Sequence, residues 1–267
     1  MLMRRFIISV VLVMPFALGG CGDSGSSDGG SSGSDSSKLA DKPAEQILAD
    51  VVSDLGKVRS YHVQGRFTDE DGPASLSGDV AAAGQARLSY EQAGQRFQLQ
   101  VIGATTYLKA NDKFWTKQAG AGAARVLADR WVKTQKRNQR KLVDELLPRT
   151  LASCLSKDHG AITKKGTGTV DGKKTVVLHD DGNTPGGAPG DLHVAATDRP
   201  LPLRVVQTGP SKPGKPADPK CGDGDSETTE SDLTLSKFDE PVRIAAPDNA
   251  IDLDSLPQGR GETEQTS

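Results

Sequence analysis

The first residues able to do chemistry form the motif L-G-G-C at residues 18–21. It follows two arginines and an apolar run, which ends at Leu18 and is too short to cross a bilayer as a helix. An aliphatic residue, two small residues and a cysteine form the pattern of a bacterial lipobox, in which the thiol is the nucleophile that takes a diacylglyceryl group. The motif predicts that residues 1–20 are a lipoprotein signal peptide and that Cys21 is the lipid attachment site. The alternatives are an ordinary signal peptide with an unrelated cysteine, or export by the twin-arginine route.

The chain has two further cysteines, Cys154 and Cys221. An even pair in an exported protein predicts one disulfide. Since no C-x-x-C motif is present, we expect this bridge to be structural rather than catalytic. It would close a long loop, which the chain-entropy model values at about 4 kcal/mol.

The remaining reactive side chains do not form a catalytic pattern. The four histidines lack metal-ligand spacing such as H-E-x-x-H, and no serine lies in a strand–turn–helix context that would activate it. The acidic residues between 223 and 227 have Thr228 where a calcium-binding EF-hand loop needs glycine. The sequence therefore predicts a protein that is not an enzyme and has no metal or cofactor.

Composition divides the chain into four parts. Residues 21–37 are rich in glycine, serine and aspartate and predict a disordered linker after the lipidated cysteine. Residues 38–257 predict one domain with a modest, aliphatic core, because aromatic residues make up only 4% of the chain. Residues 258–267 predict a disordered tail. A net charge of −2 argues against nucleic acid as a partner.

Hydrophobic periodicity predicts the elements of the domain. A helical pattern over residues 42–58 is followed by period-two strands with glycine-rich turns, of which residues 105–117 are predicted to be the last hairpin. Helical signal returns over residues 121–157, where residues 131–133 are either helical or extended, and a second group of strands follows. This order predicts an α+β fold with a single large curled antiparallel sheet, an unclosed half-barrel of about ten strands, and helices packed on its concave face.

The apolar side chains of the strands would share the inward face of this sheet. We expect them to line an apolar ligand cavity or, alternatively, to be covered completely by the helices predicted at residues 42–58 and 138–155. The candidate cavity residues are Val63, Phe67, Leu76, Val80, Leu88, Phe97, Leu99, Val101, Leu192, Val194, Leu203 and Val205.

Five basic residues occur within a short stretch and would share one face of a continuous helix. Such a face is either an ordinary solvated surface or a contact with anionic headgroups of a nearby membrane. These residues are Lys133, Lys136, Arg137, Arg140 and Lys141.

Several phrases of the sequence resemble one known family. They include AEQILADVVSDLGKV, SYHVQGRFTD, DGKKTVVLHDD, RPLPLRVV and SDLTLSKFDEPVRIAAP. The chain resembles the LppX/LprG-type lipoproteins of actinobacteria, which have a LolA-like half-barrel, over roughly residues 38–256. The resemblance implies an unclosed barrel whose helices plug an apolar cavity. It also implies that the protein carries an acylated lipid or the acyl chains of a lipoprotein in the cell envelope.

Together, these observations predict an extracytoplasmic lipoprotein that acylated Cys21 anchors to the outer face of the cell membrane. The expected ligand is a lipid, another amphiphile or a lipoprotein acyl chain, bound without chemistry. The alternative is a lipoprotein of the same fold with a filled core, which senses the envelope or binds an envelope protein.

Overall fold

The computed structural model describes residues 35–135, 140–217, 219–221 and 228–255. The predicted signal peptide, Cys21 and the predicted C-terminal tail lie outside the described residues. The first helix begins at Asp35, so the last residues of the stretch predicted as linker are helical.

In the part of the chain that the structure describes, twelve strands form one open sheet, in the order β12-β6-β5-β4-β3-β2-β1-β11-β10-β9-β8-β7. All neighbouring pairs are antiparallel except β12 with β6. The strands are β1 (Ser60–Asp69), β2 (Gly72–Ala81), β3 (Ala86–Gln92), β4 (Gln95–Ile102), β5 (Thr105–Ala110), β6 (Trp131–Thr134), β7 (Ile162–Val170), β8 (Lys173–Asp180), β9 (Gly190–Ala195), β10 (Pro202–Gln207), β11 (Glu230–Ser236) and β12 (Ile251–Asp252). The predicted fold class, an unclosed α+β sheet, is confirmed, with twelve strands instead of about ten.

Five α-helices accompany the sheet within the described residues. They are α1 (Asp35–Asp41), α2 (Ala44–Leu55), α3 (Asp112–Leu127), α4 (Lys141–Glu145) and α5 (Pro148–Lys157). Helix α2 follows the predicted apolar spacing, and its buried side chains are Ile47, Leu48, Val51 and Leu55. Pro148 is the first residue of α5, where its missing N–H costs nothing, and it separates α5 from α4.

Residues 105–117 do not form the predicted hairpin. Strand β5 ends at Ala110, and Asn111 caps α3 by accepting a 3.1 Å hydrogen bond from the amide of Phe114. Asparagine followed by aspartate favours helix caps as well as turns, which explains the difference. Phe114 and Trp115 are consequently buried against β4 and β5 instead of alternating along a strand.

The basic run is not carried by one helix. Residues 131–133 are extended and belong to β6, in which Val132 is buried and pairs with Leu108. Lys133 lies 3.3 Å from the carboxylate of Asp252. Because Lys133 belongs to β6, the predicted continuous helix face is wrong for this residue. Lys136 and Arg137 lie outside the described residues.

Two glycines allow neighbouring strands to approach unusually closely. A Cβ atom built on Gly65 would lie 2.0 Å from the carbonyl oxygen of Asp232, and one on Gly78 would lie 2.0 Å from that of Arg87. Any other residue would have to push the adjoining strands apart at these positions. The close pairing of β1 with β11, and of β2 with β3, therefore depends on glycine.

Candidate ligand site

Two rows of side chains cross strands β8 to β11 on the face that meets the helices. In the first row, Leu178 pairs with Leu192, which pairs with Val205. In the second row, two positions further along the strands, Asp180 and Gln207 both pair with Gly190, and Gln207 also pairs with Ser231. Because alternate residues of a strand point to the same face, the apolar row and the polar row share that face.

A cavity of about 60 Å³ lies above these two rows. Leu48 of α2 and Leu155 of α5 contribute to its wall opposite the sheet, and the segment Ala188–Pro189 lines it at the loop between β8 and β9. Since a water molecule needs about 10–15 Å³ in such a space, the cavity has room for a short stretch of a ligand. Its wall combines the apolar side chains of α2, α5 and the first row with the polar side chains of the second row.

Asp180 is the acidic side chain of the polar row. Its Oδ1 accepts hydrogen bonds from the amides of Gly160 and Gly182, each 2.8 Å long. Burial raises the pKa of this carboxyl, and the two backbone hydrogen bonds only partly oppose that effect. His159 lies in the same wall, and its Nδ1 donates to the carbonyl oxygen of Gly160 over 2.8 Å.

Gln207 and Ser231 complete the polar row and differ in how their hydrogen bonds are satisfied. The Gln207 amide nitrogen donates to the carbonyl oxygens of Gly209 and Thr228, at 2.9 and 2.7 Å. Ser231 is only 4% exposed, and its Oγ has no hydrogen-bond partner among the described residues. A buried hydroxyl without a partner is costly, so Ser231 is the unsatisfied polar group of the cavity wall.

The α5 side of the site is tied to the segment that precedes β11. A disulfide joins Cys154 of α5 to Cys221, as the cysteine pair predicts. Asp158, at the end of α5, is fully buried and accepts a 3.0 Å hydrogen bond from the amide of Ala217. These contacts hold α5, and with it Leu155, against the sheet.

The fold of this chain is similar to that of several solved structures. Two of these structures are of mycobacterial proteins, LprF and the lipoprotein LppX. LprF from Mycobacterium bovis is 19% identical, with a TM-score of 0.47, over 76% of this chain and 96% of LprF. LppX from Mycobacterium tuberculosis is 17% identical, with a TM-score of 0.47, over 75% of this chain and 99% of LppX.

The LppX structure belongs to the family that the sequence resembles. A more distant likeness is to the complex of MucA and MucB from Pseudomonas aeruginosa, which is 18% identical, with a TM-score of 0.32, over 77% of this chain and 59% of that one. No protein-family model matches the sequence. No curated protein matches it either. Among the described helices, none is long and apolar enough to cross a membrane.

Leu192 and Val205 are the predicted cavity residues that line this cavity. Val194 is buried in the neighbouring cluster beneath α1 and α2. Six others are buried in the cluster that contains Val143, Leu146 and Ala152 of the α4–α5 region: Val63, Leu76, Val80, Leu88, Leu99 and Val101. Phe67 and Phe97 pack against the same cluster. The helices therefore cover the half of the sheet around β1–β4 and leave the cavity at β8–β10.

Leu203 lies elsewhere than the alternation predicts. It packs with Val170 and Ala195 in a separate cluster. The register of β9 and β10 shifts between Pro202 and Arg204, which changes the direction of the side chain between them. Leu203 is thus not among the residues that line the cavity.

Several side chains of the cavity wall carry no sequence signal that marks them as lining a cavity. Leu48 and Leu155 have the helical spacing of buried residues, which indicates burial but not a cavity. Ser231 and Gln207 meet only through the pairing of β10 with β11, strands joined by a long loop. No signal in the local sequence distinguishes this serine from the many on the surface.

Proposed function

We propose that this protein is an extracytoplasmic lipoprotein, anchored to the outer face of the cell membrane by acylated Cys21, that binds the apolar part of a lipid or other amphiphile. The observation that carries this proposal is the cavity between α2, α5 and strands β8–β10. Binding there is by burial and shape, without a chemical step. The lipobox at residues 18–21 supports the membrane location.

The driving force for such binding is the removal of apolar surface from water. Each buried CH₂ group contributes about 0.8 kcal/mol, so even a short segment in an apolar cavity binds measurably. A ligand whose apolar chain is longer than the present cavity requires α5 or α2 to move away from the sheet. The two helices approach closely, since a Cβ on Gly56 would lie 3.8 Å from Cβ of Ala152, so a ligand that parts them separates a packed contact.

The test is native mass spectrometry of the mature chain from residue 21, with Cys21→Ser so that it carries no lipid anchor. We expect a stoichiometric mass increment that organic extraction removes and identifies as a lipid. A mass without any increment, unchanged after incubation with envelope lipids, would contradict the proposal. It would favour the alternative of a protein-binding lipoprotein, which the well-covered cluster beneath α4 and α5 would suit.

A cavity-filling variant locates the bound lipid. Val205→Phe places a larger side chain in the cavity wall and should lower the amount of bound lipid about tenfold, because the added ring occupies the ligand's space. Val126→Phe is the matched control, since Val126 is 55% exposed on α3 and belongs to another region. Equal lipid content in the two folded variants would place the ligand outside this cavity.

A further inference from the structure

The cavity is polar at one end, and that end limits which amphiphile fits. Resting on the proposed function, we infer that the ligand carries an uncharged hydrogen-bond acceptor at the end of its chain, an ester or an alcohol, and that Ser231 Oγ donates to it. The apolar row of Leu178, Leu192 and Val205 would hold the chain. Ser231 is then the specificity-determining residue of the site.

Ser231 is the residue of the cavity wall whose hydrogen bonding would improve most when a ligand binds. Its Oγ is buried and has no partner within the described part of the chain, whereas its neighbour Gln207 already donates to two carbonyl oxygens. A ligand oxygen in this place would satisfy the hydroxyl without displacing an existing hydrogen bond. The hydroxyl thus offers a hydrogen bond that the protein itself does not use.

The charge of the cavity wall argues against a ligand that ends in a free carboxylate. Asp180 lies in the same polar row, and its Oδ1 is held by the amides of Gly160 and Gly182. Among the described residues that line the cavity there is no lysine or arginine, and His159 uses its Nδ1 on the carbonyl of Gly160. A second carboxylate would lose its hydration beside Asp180 without gaining a lysine or arginine partner from the described wall.

The experiment compares 1-decanol, methyl decanoate and sodium decanoate as competitors of the fluorescent probe N-phenyl-1-naphthylamine, using the mature Cys21→Ser chain at neutral pH. The alcohol and the ester should displace the probe at concentrations about tenfold lower than the carboxylate. Ser231→Ala should weaken the alcohol and the ester about 3- to 10-fold, as inhibition constants corrected for the affinity of each protein for the probe. Asp180→Asn should reduce the difference in affinity between decanoate and the two uncharged compounds.

Ser89→Ala is the matched control, because Ser89 is an exposed residue of β3 and should change none of these affinities. The melting temperature of unliganded Ser231→Ala should not fall, since the change removes a buried hydroxyl that has no partner. Unchanged affinities in Ser231→Ala, or equal binding of the carboxylate, would overturn this inference and leave the proposed function standing. Failure of the probe and all three compounds to bind would overturn both.

Discussion

Individual polar atoms connect the helices to the sheet and can be tested one at a time. The buried phenol of Tyr61 donates a 2.5 Å hydrogen bond to the carbonyl oxygen of Leu146, where α4 ends and α5 is about to begin. Burial raises the pKa of Tyr61, so the phenol stays protonated and remains a donor. At the polar end of the cavity, Asp180 is buried enough that its ionised form costs stability.

Tyr61→Phe should lower the free energy of unfolding by about 1–3 kcal/mol, because the carbonyl oxygen of Leu146 loses its donor in a buried place. Urea denaturation measures the change. Tyr107→Phe is the control, since Tyr107 is only half-buried and should change stability by less than about 0.5 kcal/mol. Equal effects of the two substitutions would mean that the Tyr61 hydrogen bond contributes nothing specific.

Asp180→Asn should stabilise the protein at neutral pH. The pKa of this carboxyl is raised in the folded state above its ordinary value of 3.8, so the ionised group destabilises the fold at pH values above its folded pKa. That cost disappears as the pH falls toward 3.8, and the advantage of the variant should shrink with it. The asparagine Oδ1 still accepts from the Gly160 and Gly182 amides.

Urea titrations of both proteins between neutral pH and pH 4 measure this dependence. A variant that is less stable than the original at neutral pH, with an unchanged pH profile, would show that the carboxylate is better stabilised than its burial indicates.

At the scale of elements, the long strands around β1 and β2 are shaped by glycine at two inward positions. Gly65 and Gly78 lie where the neighbouring backbone occupies the space of a side chain. Their sequence neighbours alternate as in any strand, so the pattern predicts the strands correctly. The close approach itself depends on how each strand meets its partner.

Gly65→Ala should destabilise the protein by about 1–3 kcal/mol, because the new Cβ would overlap the carbonyl oxygen of Asp232. Gly122→Ala in α3 is the control. A Cβ there meets no atom within 4 Å, and alanine favours a helix over glycine by about 0.5–1 kcal/mol. Thermal unfolding of both variants tests the contrast, and a neutral Gly65→Ala would indicate that β1 and β11 separate freely.

At the scale of the whole molecule, one covalent bond joins α5 to the segment before β11. The cysteines are 67 positions apart in sequence, so the bridge constrains a large part of the unfolded chain. It also fastens the helix that covers the cavity. Stability and access to the cavity are therefore linked through α5.

The double variant Cys154→Ala, Cys221→Ala should be less stable by up to about 4 kcal/mol in urea, and dithiothreitol should have no further effect on it. Hydrogen exchange should rise more in α5 than in β1 and β2, because the helix loses its tether while those strands keep their ladder. Equal protection of α5 in both proteins would show that its packing, rather than the disulfide, holds it in place.

Much of the fold follows from local patterns. Helix α2 and the strands β1–β4 lie within a few residues of their predicted positions. This is because the spacing of apolar residues, every 3.6 residues in a helix and every second residue in a strand, is visible in a short stretch of sequence. The first part of α3 was predicted as a strand of a hairpin, because Asn111 favours a cap as much as a turn, whereas residues 121–127 were predicted to be helical. Leu203 was misplaced because a register shift has no local signal.

The sequence by itself determined the fold class and the cysteine pair, because composition and periodicity depend on near neighbours. It also predicted a lipid anchor and a sheet with one apolar face. The tertiary structure alone decided which part of that face is open. The cavity exists where α2 and α5 meet β8–β10 without filling the space, while α4 and α5 cover the cluster around β1–β4. It also decided that Ser231 lies in the wall, because strand register brings together residues far apart in the chain.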